Sequence, residues 1–230
     1  MINGIKGVYF DAGGTLLHPH PSVGEIYALV LKRWGVDLPA EPLQSAFRAS
    51  WNHLTRTARD FTDENSEKEW WRNLVLMTIE ESQRPEDFGG FFEDLYVSFA
   101  RPEYWRLHDG ALRCLQTVRS AGLKTGIISN WDHRLRSILV GMPLGEVMDD
   151  IIISSEVGCE KPNPKIFLEG SKRWGFEPGE LLYVGDSLHH DIEPCRKLGW
   201  SAVLIHSHEQ VPPGVSVVQG FEELCELLGI

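Results

Sequence analysis

The chain has 230 residues and a formal net charge of −11, with 42% apolar and 10% aromatic side chains. That length holds one large domain, or one domain with an insertion, and that apolar share is enough for a packed core. The acidic balance argues against a nucleic-acid partner, which needs a basic surface, and no run approaches the ~18 apolar residues that span a membrane.

The first predicted element is Val8-Tyr9-Phe10, a short apolar run that ends abruptly in Asp11. A run of this length reads as a buried strand. Gly13 and Gly14 follow, and they let the backbone turn tightly and approach a ligand. His18-Pro19-His20-Pro21 reads as a rigid extended linker. Ser22 and Glu25 form a capping box for a helix reaching about Trp34, with Gly35 as its stop. A second helix is expected from Pro42 to about Arg59. A third is expected behind a capping box of Ser66 and Glu69, and a fourth from Pro85 to about Ala100. The run from Asp60 to Glu69 reads as a solvated loop and helix start. No strand signal interrupts residues 22–100. The aromatics Trp51, Trp70, Trp71, Phe91 and Phe92 in this block read as its core.

From Asp109 the pattern becomes strand–helix alternation, the mark of a parallel sheet. Asp109 is expected to cap a helix closed by Gly122. Strands follow at 124–128, 150–153, 181–184 and 202–205. Asn163-Pro164 opens a helix that Gly175 ends, another helix runs to Leu198, and a last one spans 221–228. The expected architecture is therefore α/β. Residues 1–17 and 105–230 build a Rossmann-like parallel-sheet core, and residues 18–104 form an inserted α-helical domain. Cys114, Cys159, Cys195 and Cys225 are scattered without metal-ligand spacing, and the start Met1-Ile-Asn-Gly-Ile-Lys has no apolar signal region. Both point to a cytoplasmic protein with free thiols.

Four strand or helix ends carry matching polar groups: Asp11, Ser129, Lys161 and Asp186. Open parallel sheets place their ligands at the carboxyl ends of the strands. Two carboxylates, Asp11 and Asp186, with backbone oxygens suit Mg²⁺. Ser129 and the backbone around Asn130 suit phosphoryl oxygens, and Lys161 supplies a point charge for the same oxygens. A carboxylate beside a cation is a competent nucleophile for phosphoryl transfer.

With these motifs the chain resembles the haloacid dehalogenase superfamily, with a helical cap inserted after the first strand. The resembling segments are Asp11-Ala-Gly-Gly-Thr15, Ile127-Ile-Ser129-Asn130, Glu160-Lys161-Pro-Asn-Pro164 and Gly185-Asp186-Ser187-Leu-His-His-Asp191. The resemblance covers essentially the whole chain. It implies Asp11 as nucleophile and metal ligand, with the Gly13 carbonyl and Asp186 completing the metal site. It implies Lys161 as the second catalytic residue, Ser129, Asn130 and Thr15 as substrate-binding, and Asp191 as support. The implied activity is Mg²⁺-dependent hydrolysis of a small phosphorylated metabolite through an aspartyl-phosphate.

One departure stands out. Phosphatases of this family carry a second aspartate two residues after the nucleophile, as general acid and base, and here that residue is Gly13. Loss of a general acid costs about 10²–10⁴ in rate. Four enzymatic readings stay open. The leaving group needs no proton, as in acyl or aryl phosphates. Or the chain is phosphonatase-like and needs a cap lysine, with Lys68 and Lys32 as candidates. Or it is a 2-haloacid dehalogenase-like enzyme, against which Asp186 counts. Or His18 or His20 replaces the acid. A catalytically weak binding protein on the same scaffold is the non-enzyme alternative.

Overall fold

The computed structural model describes residues 2, 4–55, 64–206 and 211–230. The expected end of the second helix near Arg59, and the head of the run from Asp60, lie outside them. The chain divides into two compact units, Met1–His18 with Leu107–Ile230, and Pro19–Arg106.

The first unit is built on β1 (Gly7–Phe10), β4 (Lys124–Ser129), β5 (Asp150–Ile153), β6 (Leu181–Gly185), β7 (Ser201–Ile205) and β8 (Ser216–Val218). Among the described residues these make one six-stranded sheet in the order β5-β4-β1-β6-β7-β8. Every pairing is parallel. The helices of this unit are α5 (Ala111–Ser120), α6 (Arg134–Val140), the single turn α7 (Ser154–Val157), α8 (Pro164–Trp174), α9 (Glu193–Lys197) and α10 (Phe221–Leu228). β1 lies at the centre, all four of its residues buried, with β4 and β6 on its two sides. The chain extends to one side through β4 and β5, then crosses back to β6. That reversal opens a crevice at the carboxyl end of β1, where Asp11 sits.

Tyr9 explains why glycines flank it. Its ring stacks on Trp174 at 3.8 Å between centroids, and its hydroxyl donates to Asp150 Oδ2 at 2.8 Å. Tyr9 and Gly126 are register partners across β1 and β4. A Cβ on Gly126 would lie 2.5 Å from Tyr9 Cε1, and one on Gly170 would lie 2.9 Å from Tyr9 Cε2. Gly126→Ala is therefore expected to destabilise the protein by about 1–3 kcal/mol through overpacking. A thermal melt shows this as a drop of about 2–4 °C per kcal/mol.

The second unit contains α1 (Val23–Arg33), α2 (Ala40–Leu54), α3 (Glu64–Thr78) and α4 (Phe88–Ser98). Its core joins Ile26, Tyr27, Val30 and Leu31 of α1 to Phe91, Phe92 and Leu95 of α4. The Ser22–Glu25 capping box forms: Glu25 N–H donates to Ser22 Oγ, and Ser22 N–H donates to Glu25 Oε2 at 2.9 Å. Phe91 and Phe92 are buried, while Trp51, Trp70 and Trp71 are half-buried and form their own ring cluster. A two-stranded sheet, β2 (Leu17–Pro19) with β3 (Trp105–Leu107), carries both passages of the chain between the units.

Several elements differ from the sequence expectation. His18 and Pro19, expected in a rigid extended linker, instead pair with Leu17 as a strand, because β3 supplies backbone partners from beyond the helical block. Ser66 lies inside α3, which already starts at Glu64. Gly110, with φ of 80°, stands at the start of α5 in place of Asp109. β8 is a three-residue strand with too short an apolar run to signal itself.

Candidate active site

Asp11 leaves the carboxyl end of β1 and is almost fully buried. Its backbone N–H donates to Val184 O at 2.9 Å, which holds the turn onto β6. Its side chain is fixed on one oxygen. Ser129 Oγ donates to Asp11 Oδ1 at 2.8 Å, and Lys161 Nζ donates to the same oxygen at 2.7 Å. Asp11 Oδ2 has no hydrogen-bond partner among the described residues, so one oxygen is anchored and the other is left for a ligand.

Lys161 is buried, and all three of its ammonium hydrogens are placed. They go to Asp11 Oδ1 at 2.7 Å, Asp191 Oδ1 at 2.7 Å and Tyr183 Oη at 2.9 Å. Tyr183 passes its own proton to Ile128 O at 2.6 Å. Burial alone would lower the Lys161 pKa, but the flanking Asp11 and Asp191 outweigh it and hold the ammonium charged. The Asn130 side chain is engaged with the Lys161 backbone. Its side-chain amide donates to Lys161 O at 2.9 Å and accepts from Lys161 N–H at 2.7 Å. That two-point clamp fixes the backbone from which Lys161 reaches into the site.

Asp186 follows β6, and Asp191 lies in a single π-helical turn, Leu188–Ile192. Such wide turns re-aim a side chain at functional sites. Asp191 is completely engaged, with Oδ1 on Lys161 and Oδ2 accepting from Ser187 N–H at 3.0 Å. Asp186 has no ion pair among the described residues, and the Thr15 hydroxyl donates to its Oδ1 at 3.5 Å. One oxygen each of Asp11, Asp186 and Asp191 lies within 4.8 Å of the others. Burial, then the Asp11 and Asp191 charges, push the Asp186 carboxyl up to about 7. Burial pushes Asp11 upward as well, against the pull of Lys161. Three carboxylates thus face one lysine.

Two glycines make this crowding possible. A Cβ on Gly14, where φ is 82°, would lie 2.3 Å from Asp186 Oδ2. A Cβ on Gly185 would lie 2.4 Å from Asp191 Cγ. Gly13 is different: its missing side chain would meet the six-membered ring of Trp131, with 3.1 Å to Cζ3.

The sequence-predicted residues Asp11, Ser129, Lys161, Asp186, Asp191 and Thr15 are therefore brought together, and Gly13 sits two residues past Asp11 at the same turn. Tyr183 and Trp131 carry no motif in the sequence that marks them as site residues. Alternation along β6 puts Tyr183 on the same face as Gly185, but that spacing alone names no partner. The lysines Lys32 and Lys68 of the helical unit each face a carboxylate there, Asp37 at 3.9 Å and Glu93 at 2.7 Å.

His18 packs edge-on to His108 at 4.8 Å, and His108 stacks on His206 at 4.7 Å. Burial, helped by His206 and His18 and opposed by Asp109, pushes the His108 imidazole from its ordinary 6.5 down to about 4. The folded protein then holds His108 neutral where the unfolded chain protonates it. Stability is accordingly lost as pH falls from about 6.5 toward about 4. His108→Phe keeps a ring in the stack and is expected to flatten that loss, as read by urea unfolding across the range.

A buried carboxylate at the end of a central parallel strand, tied to a serine and a lysine and facing two further acids, defines a hydrolase-type α/β site. Residues 5–199 match the family described as haloacid dehalogenase-like hydrolase, and the chain belongs to that family. It is 30% identical over 210 residues to haloacid dehalogenase-like hydrolase domain-containing protein 3 of Mus musculus, covering 90% of this chain and 84% of the relative. It is 32% identical over 216 residues to a glyceraldehyde 3-phosphate phosphatase of Methanopyrus kandleri, covering 87% and 84%. Its fold superposes on the crystal structure of a HAD phosphatase from Thermococcus onnurineus with a TM-score of 0.69 at 25% identity, covering 98% of both chains. No helix among the described residues is long and apolar enough to cross a membrane.

Proposed function

We propose that this hydrolase is a Mg²⁺-dependent phosphatase of a small phosphorylated metabolite in the cytoplasm, working through an aspartyl-phosphate on Asp11 with the helical unit as its cap. The observation that carries this reading is the cluster of three carboxylates within 4.8 Å of one another, two of them buried and paired with Lys161 and the third, Asp186, half-buried. Asp191 is engaged by Lys161 and Ser187, which leaves Asp11 and Asp186 as the pair with room for a cation. Their hard oxygen donors suit Mg²⁺, with the Gly13 carbonyl as the third protein ligand. When bound, that ion neutralises charge on the phosphoryl oxygens.

The chain's own residues do the rest. Ser129 and Lys161 hold Asp11 Oδ1, which directs Oδ2 at phosphorus. Asn130 fixes Lys161, and Tyr183 with Asp191 saturates its remaining hydrogens. Lys161 thereby opposes protonation of Asp11, and its own hydrogens are all taken by protein acceptors. Thr15 orients Asp186 from the turn after β1. The relationship to a curated phosphatase favours phosphorus over carbon as the atom attacked.

The test is phosphate release from acetyl phosphate and p-nitrophenyl phosphate, with Mg²⁺ and with a chelator. Release that needs Mg²⁺ is the expected result. Halide release from 2-haloacids without metal, and no phosphate release from any substrate, would instead make the chain a dehalogenase.

A further inference from the structure

We infer that Trp131 closes the proton-donor position beside Asp11, and that the site is built for phosphates whose leaving oxygen departs unprotonated, meaning acyl and aryl phosphates. This rests on the phosphatase reading above.

The first observation is a census of protons around Asp11. Ser129 donates to Asp11, Lys161 donates to Asp11, Asp191 and Tyr183, and Tyr183 donates to Ile128 O. Asp191 accepts two hydrogen bonds and has no proton to offer. Each polar hydrogen in this cluster is already directed at a protein acceptor. An alkoxide leaving group, whose conjugate acid is very weak, finds no donor among them.

The second observation is Trp131 itself. The indole lies over Gly13, so close that a Cβ there would sit 3.1 Å from Cζ3 and 3.9 Å from Cε3 and Cη2. A side chain at position 13 therefore needs the ring to move. The backbone that carries the ring is anchored through its own N–H and C=O. Trp131 N–H donates to Ser154 Oγ at 3.1 Å, and Trp131 O accepts from Ser154 Oγ at 3.1 Å and from Ser155 N–H at 3.3 Å. Ser154 is itself buried at the end of β5. A flat apolar edge thus occupies the ground beside the nucleophile where a polar donor would stand, and it suits a planar leaving group better than a hydrated one.

The step balances without an acid. Asp11 Oδ2 forms a bond to phosphorus, and the bond from phosphorus to the leaving oxygen breaks with its electron pair. A carboxylate or phenolate departs as the anion. Water then attacks phosphorus: its oxygen forms the new bond, the bond from phosphorus to Asp11 Oδ2 breaks with its electron pair to restore the carboxylate, and both water protons leave with the product as dihydrogen phosphate.

The experiment measures kcat/KM with Mg²⁺ for acetyl phosphate, a series of substituted phenyl phosphates and glycerol phosphate. The expected result is a steep fall as the leaving group becomes more basic, with glycerol phosphate slower than acetyl phosphate by about 10²–10⁴-fold. Turnover that is flat across the series overturns the inference while leaving the phosphatase reading intact. No phosphate release from any member overturns the phosphatase reading, and the inference with it. Two variants, each checked by thermal melt, then isolate Trp131. Gly13→Asp with Trp131→Ala is expected to raise the glycerol-to-acetyl phosphate ratio at least about tenfold over Gly13→Asp alone, as a newly admitted acid should. An equal gain in Gly13→Asp alone, or a folded double variant with unchanged selectivity, overturns the role of Trp131.

Discussion

Asp11→Asn is expected to lose phosphate release by roughly 10⁴–10⁶-fold, as removal of a covalent nucleophile does. The substitution is nearly isosteric. Asparagine keeps an oxygen where Ser129 and Lys161 now donate, at 2.8 and 2.7 Å, so β1 and its turn have no reason to move. What is lost is the second carboxylate oxygen, the one free of protein partners, together with its charge. An amide is a poor nucleophile and a weak ligand for a hard cation. The assay is phosphate release under saturating acetyl phosphate and Mg²⁺, alongside a thermal melt. A folded variant that retains a tenth of the parent rate would remove Asp11 from the chemistry.

Lys161→Met is expected to cost about 3–5 kcal/mol of stability at neutral pH without divalent cation, the usual consequence of removing one partner from a buried ion pair. The methionine fills much of the same volume, so the loss reports charge more than packing. Asp11 and Asp191 each lose a 2.7 Å bond to the ammonium. Tyr183 Oη loses its donor, and Asp186 loses the favourable charge of the ammonium. Three carboxylates within 4.8 Å then face one another with no cation among them. Urea unfolding measures the loss. Magnesium is expected to recover part of it, because an ion that binds only the folded state stabilises by about 2.7 kcal/mol at a hundredfold excess over Kd. A variant as stable as the parent without metal would mean that these acids are neutral in the folded protein.

The element order of the sheet unit was legible because each strand is a short apolar run closed by a polar residue, as in Asp150–Ile153 and Leu181–Gly185. Helix ends were legible where the cap is local: Asn163 accepts from Lys165 N–H, and Gly175 takes φ of 67°. Errors arose where a distant partner decides. The strand at 17–19 exists because of 105–107, and a cap at Ser66 fails because α3 already runs through it.

The same division holds at the candidate site. The linear chain by itself determined which residues stand at strand ends, namely Asp11, Ser129 and Asp186, because strand periodicity and turn chemistry are local. It also determined that position 13 has no side chain. Only the tertiary structure decided what each group faces. It tied the Asn130 side chain to the Lys161 backbone, set Tyr183 beneath the ammonium, and laid Trp131 over Gly13. Those contacts join residues far apart in the chain. They follow from the register of parallel strands and from close packing around two glycines, and neither is written in any short stretch of sequence.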